Sequence, residues 1–253
     1  MNRSSISPKL TRRLRWSEST PTPQSLPRLD ERQHALLRLN HPQIGPMYAY
    51  RESAQPRVGC ELLPGTTLAD RLRARRRAPY NLSETLSVLT PIANALEYAH
   101  SQGVAHGNLH PGAVVYMSSQ MLLTTFAGTA APGPGIYRAP EQRPELLTTQ
   151  VDVYALAVIA HELLTGYPPG IEAPSTATLP PGIDSVLARA LSRQPRQRPR
   201  SPQVLIAELR TAQQRIRRRA QPSRWRQSRT LIAITLLMLM LSIGVGTLVG
   251  LLV

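Results

Sequence analysis

The chain has 253 residues and a net charge of +15, carried almost wholly by arginine, since Lys9 is its single lysine. One cysteine, Cys60, excludes an internal disulfide and any multi-cysteine metal site. Two Trp and one Phe argue against a base-stacking platform, and the arginines crowd beside an apolar tail rather than along the chain, so the charge points to a membrane rather than to nucleic acid.

Residues 1–28 are rich in Ser, Thr, Pro and Arg without apolar periodicity, and are expected to be a disordered basic tail. From Leu29 to Leu39 the apolar residues Ala35, Leu36 and Leu39 fall at helical spacing, and Pro42 stops the helix. Tyr48–Leu63 has room for two or three strands, Pro64-Gly65 is a turn, and Thr67–Arg77 reads as a short helix. Asn81 and Glu84 form a capping box that opens a long helix to about Ser101, with Gly103 suited to its end and Pro91 a possible kink. Ala113–Met117 and Met121–Thr125 read as strands, and the Gly and Pro residues of 128–140 as loop. Thr149 and Asp152 resemble a second capping box before an apolar helix to Leu164, closed by Gly166. Residues 167–181 are Pro-rich loop, and Ile183–Leu191 and Pro202–Arg218 are two further helices.

Thr230–Val253 is 24 residues without a charge. At about 1.5 Å per residue it spans the roughly 30 Å of bilayer hydrocarbon, so a transmembrane helix is expected. Arg217, Arg218, Arg219, Arg226 and Arg229 form a collar just before it, with Trp225 among them. Positive residues beside a span stay cytoplasmic, and such a collar attracts anionic lipid. The reading is a tail-anchored protein with a cytoplasmic N-terminal domain. Gly246 and Gly250 match a GxxxG pattern, which leaves a homodimer open.

Several motifs, in order along Leu29 to Arg210, resemble the protein Ser/Thr kinase family, particularly its bacterial membrane-anchored members. Leu39-Asn-His-Pro-Gln-Ile is similar to the end of the regulatory helix and the strand after it. Cys60 to Leu68 resembles the hinge between lobes. Tyr98 to Pro111 is similar to the end of the long helix and the catalytic loop, and Leu123-Thr-Thr-Phe-Ala127 to the metal-binding Asp-Phe-Gly region. Tyr137-Arg-Ala-Pro-Glu141 matches the Ala-Pro-Glu motif. Asp152 to Gly166 resembles the buried helix of the large lobe, and Gln197-Arg-Pro199 the final Arg motif. The resemblance implies an α+β, protein-kinase-like fold with a truncated N-lobe at 29–63 and a mostly helical C-lobe at 64–210. An Arg-rich juxtamembrane segment at 211–229 and the transmembrane helix at 230–253 follow.

The resemblance also shows what is missing. Kinase chemistry needs a glycine-rich loop, a strand lysine held by a helix glutamate, a catalytic Asp, and an Asn and an Asp that hold Mg. The first glycine here is Gly45, and no strand lysine exists. The glutamate position aligns with Arg32, beside Glu31. The catalytic Asp is Asn108, the following lysine His110, the metal-binding Asn Ala113, and the Asp-Phe-Gly aspartate Thr125. Pro134 replaces the threonine ahead of Ala-Pro-Glu. The implication is a pseudokinase: no catalytic residues, no ATP or Mg binding, and a role as scaffold or allosteric partner, with an active kinase one candidate partner.

The groups that brace the large lobe stay. Asp152 is expected to cap catalytic-loop amides, Glu141 to pair with Arg198, and His106 and Phe126 to occupy the hydrophobic spine. His100, His106, His110 and His161 are read as structural or solvated rather than as a metal cluster. The run Arg71, Arg73, Arg75, Arg76 and Arg77 is read as a solvated helix face. Two rivals remain: an active kinase in which Glu31 or another acid substitutes, and a charge-driven membrane-surface binder.

Overall fold

The computed structural model describes residues 29–52, 55–61, 63–117, 120–143, 147–171 and 179–220. The basic tail at 1–28, Trp225, Arg226, Arg229, the 230–253 segment and its Gly246 and Gly250 lie outside them. Among the described residues no helix is long and apolar enough to cross a membrane.

Among the described residues the small lobe is one helix and one hairpin. Helix α1 spans Glu31–Arg38 and starts at a reciprocal box: Gln33 N donates to Asp30 Oδ1 at 2.6 Å, and Asp30 N to Gln33 Oε1 at 3.0 Å. Its Leu36 is buried. Strands β1 (Met47–Glu52) and β2 (Gln55–Cys60) pair antiparallel, with Met47 opposite Cys60. Before β1 the chain bonds to the large lobe: Leu123 N donates to Gln43 O and Gly45 N to Leu123 O.

A three-stranded antiparallel sheet begins the large lobe, in the order β3 (Thr66–Thr67), β4 (Val114–Met117), β5 (Gln120–Leu123). The two-residue β3 is too short for any periodicity to announce it. It forms because Gly65 lets the backbone meet Tyr116 O, where any Cβ would clash. The strand expected over Met121–Thr125 stops at Leu123, because Thr125 takes a left-handed backbone with φ 55°.

Helix α2 (Leu68–Ala74) is capped by Thr67 and Asp70, and α3 (Leu82–Ser101) by Asn81 and Glu84. α3 runs on through Pro91. The carbonyl that proline leaves without a donor belongs to Ser87, which is exposed and can be met by water. Helix α4 (Thr149–Thr165) is buried on nearly every face, from Val151 to Leu163, and Gly166 ends it at φ 82°. The second capping box is corrected here. Thr148 is the N-cap and makes no side-chain cap bond, because the Asp152 carboxylate turns inward instead. Helices α5 (Pro181–Ala190) and α6 (Pro202–Ala220) complete the lobe, with α6 packed on α3 and α5. One core joins Leu89, Leu96, Phe126, Leu156, Ile159 and Leu205.

Candidate functional site

The centre of the site is Asp152, fully buried at the start of α4. Its Oδ1 accepts from Gly107 N at 2.8 Å, and its Oδ2 from His106 N at 2.8 Å. His100 Nε2 also lies 2.7 Å from Oδ2. A buried carboxylate is stable only when its oxygens are satisfied, and here both are. His100 is therefore a partner of this carboxylate, a role its sequence context did not reveal.

His106 and Phe126 are both fully buried, with ring centroids 4.2 Å apart. Burial pushes the His106 imidazole down to about 4, against the opposing pull of Asp152 and of the Thr124 carbonyl. It is neutral at pH 7, and its neighbours fix the tautomer. Nε2 sits 3.0 Å from Thr124 O, and Nδ1 accepts from Asn108 N at 3.2 Å. Ala127 N donates to His106 O at 2.8 Å, which closes the pairing of the two loops.

Asn108 holds these loops together. Its Nδ2 donates to Thr125 O at 2.9 Å and Ala131 O at 3.3 Å, and its Oδ1 accepts from Gly133 N at 2.7 Å. A carboxylate could not make the two donations. Ala113 is buried, and its carbonyl takes both Thr124 N and Thr124 Oγ1. Thr125 Oγ1 is buried without a hydrogen-bond partner. Burial pushes the Cys60 thiol up, against a hydrogen bond from the Thr125 backbone.

Two readings change. His110 is not solvated: it is half-buried, accepts from Gly112 N at 3.1 Å, and lies over Gly133, where a side chain would overlap its ring. Burial accordingly lowers its pKa. The Arg71–Arg77 run is no simple solvated face. Arg71 lies 3.5 Å over the Tyr116 ring, Arg75 4.0 Å over Tyr80, and Arg77 5.0 Å over Tyr167.

Arg32 reaches from the small lobe to the large one. From α1 its Nη2 donates to Ala105 O at 3.0 Å and Ala127 O at 3.3 Å, partners 73 and 95 residues away. Burial lowers its pKa, and the charges of Asp152 and Asp30 oppose this. A guanidinium stays protonated all the same. Glu31, the acid offered as a substitute, is exposed at the first position of α1.

The pairing of Glu141 with Arg198 is bidentate, at 2.6 and 2.7 Å, and the Arg198 side chain is fully buried. Burial alone would raise the Glu141 pKa, but the Arg198 bonds outweigh it and the net shift is downward. Arg198 also donates to Ser192 O and Gln150 O. His161 Nδ1 lies 2.9 Å from Tyr167 O. Among the described residues no group of three His, Cys, Asp or Glu could hold a metal.

A small helix-and-hairpin lobe, a helical lobe built on a buried α4, and an Asp152-braced loop define a protein-kinase fold. The family model for the protein kinase domain matches residues 24–221, and the chain belongs to that family. It is 29% identical over 195 residues to the serine/threonine-protein kinase PknH of Mycobacterium bovis, covering 64% of this chain and 32% of that protein. The match to PknD of Mycobacterium tuberculosis is also 29%, covering 64% of this chain and 29% of PknD. The crystal structure of the Mycobacterium tuberculosis PknI kinase domain superposes with a TM-score of 0.59 at 29% identity, covering 71% of this chain and 76% of that one. The chain spans about a third of the length of the curated relatives it matches.

Proposed function

We propose that this kinase-family domain transfers no phosphoryl group and works as a signalling scaffold or allosteric partner on a membrane. The observation that carries the reading is the use made of the catalytic positions. Asn108 spends its carboxamide on Thr125, Ala131 and Gly133, Ala113 offers a methyl, and the Arg32 cation bonds the Ala127 carbonyl. Mg is held through carboxylates and phosphate oxygens, and the transition state needs that charge. The residues at these positions do not fit Mg·ATP. The described small-lobe hairpin has two strands, and the sequence supplies no glycine-rich loop or strand lysine for the phosphates.

The rest of the reading rests on sequence. Residues 230–253 anchor the chain, the arginine collar meets anionic lipid, and the partner is a protein, with an active kinase in the same membrane one candidate. Gly246 and Gly250 offer a homodimer contact.

The test is thermal melting of the full chain with and without Mg·ATP. A ligand at 100 times its Kd stabilises a fold by about 2.7 kcal/mol, a readily seen shift. No shift at millimolar ATP is expected. A magnesium-dependent rise in Tm would sink the proposal.

A further inference from the structure

A cavity of about 510 Å³ opens between α2, the His110 loop and the end of α4. Its polar wall is Arg73, Arg76, Arg77, His110, Tyr137 and Glu162. Among the described lining residues three arginines stand against one carboxylate. Arg73 is paired with Asp70, but among the described residues no carboxylate lies within ion-pair distance of Arg76 or Arg77. Glu162 accepts from the Tyr137 hydroxyl at 2.6 Å, and burial raises its pKa against the effect of that bond and of Arg77.

Arg76 and Arg77 sit on a preset backbone. Arg76 and Arg77 have φ of 51° and 62°, two consecutive non-glycine residues in the left-handed region. Such strain persists only where the surroundings impose it. Here Arg77 N donates to Leu72 O at 3.3 Å and Tyr80 N to Leu163 O at 2.7 Å. Gly166 gives way to the Arg77 carbonyl, which any Cβ at 166 would overlap. Binding at this turn would have little backbone left to order.

We propose that this cleft takes a phosphorylated side chain of a partner polypeptide. The inference deepens the binding-domain reading and rests on it. A phosphoryl group carries about −1.5 to −2 charge and three acceptor oxygens, which suits adjacent guanidinium forks better than the single charge of a carboxylate. The volume accepts one side chain and its neighbours rather than a polymer strand. Leu72, Pro111 and Pro134 supply an apolar floor for the flanking residues. A concavity of this volume is filled by a side chain projecting from a polypeptide better than by a flat lipid surface.

The experiment uses the full chain without nucleotide and fluorescent alanine-flanked peptides carrying phosphoserine, glutamate or serine, read by anisotropy at physiological ionic strength. The phosphoserine peptide should bind about tenfold more tightly than the serine peptide. R76A/R77A should erase that difference, R76K/R77K should keep part of it, and R193A/R196A, at exposed arginines elsewhere, should leave it intact. R76Q/R77Q keeps side-chain bulk and repeats the test should alanine loosen the turn. Equal binding of the phosphoserine and serine peptides overturns the proposal, as does equal loss in the R193A/R196A chain. Loss of binding to phosphatidylglycerol vesicles on R76A/R77A, with phosphopeptide binding unchanged, overturns it in favour of lipid. Mg·ATP melting is read separately, so failure of the cleft and failure of the inactive-domain reading are told apart.

Discussion

The two sides of the catalytic loop have met different fates. On the α4 side, Asp152, Glu141 and Arg198 keep the bonds that brace a kinase large lobe, each buried or bidentate. On the side facing the small lobe, three positions that the resemblance places in the catalytic machinery make structural contacts. Arg32 bonds two carbonyls, Asn108 bonds two carbonyls and an amide, and Ala113 is packed in the core. Folding demands satisfied buried polar groups whatever the chemistry, so the bracing side keeps its residues.

The comparison can be broken from its stronger side first. Asp152→Ala leaves two buried amides and His100 without their acceptor, and should cost about 3–5 kcal/mol in chemical denaturation. Asp152→Asn keeps the shape and should cost less. Arg198→Ala strands Glu141 and two carbonyls, and a loss of about 3–4 kcal/mol is expected in the same measurement. A loss below about 1 kcal/mol in either alanine variant would mean that the bracing is not what holds this lobe.

Acid offers a third test. His106 titrates near 4 in the fold and near 6.5 in an unfolded chain. Between those values the unfolded chain binds more protons, so stability present above about pH 6.5 falls as the pH drops towards 4, by about 2–3 kcal/mol. In a His106→Phe chain the slope over that window should flatten. An unchanged slope would assign it to other groups.

The smallest effect comes from the opposite side. Asn108→Asp restores a carboxylate at the catalytic position but loses the donations to Thr125 O and Ala131 O. It should cost about 1–2 kcal/mol and yield no phosphotransfer to a generic substrate. Measurable activity in that single variant would show that the side facing the small lobe retains a phosphate site.

Much of the fold was legible because it is written locally. The box at Asn81 and Glu84 set the start of α3, and Gly166 ended α4 where expected. The Glu141–Arg198 and Asp152 bonds followed from the family resemblance. The box at Thr149 misled because a local pattern and a long-range demand competed for one carboxylate, and the buried amides of His106 and Gly107 won.

The amino-acid sequence by itself determined which atoms are available: no carboxylate at 108, 113 or 125, an arginine at 32, and five arginines between 71 and 77. Only the tertiary structure decided what those atoms touch. Arg32 finds carbonyls 73 and 95 residues away, His100 meets Asp152 across 52, and the arginines settle on tyrosines brought by other elements. Helical and strand periodicities carry information over a few residues. A buried polar group takes whatever partner the packed chain delivers, and no local pattern records that partner.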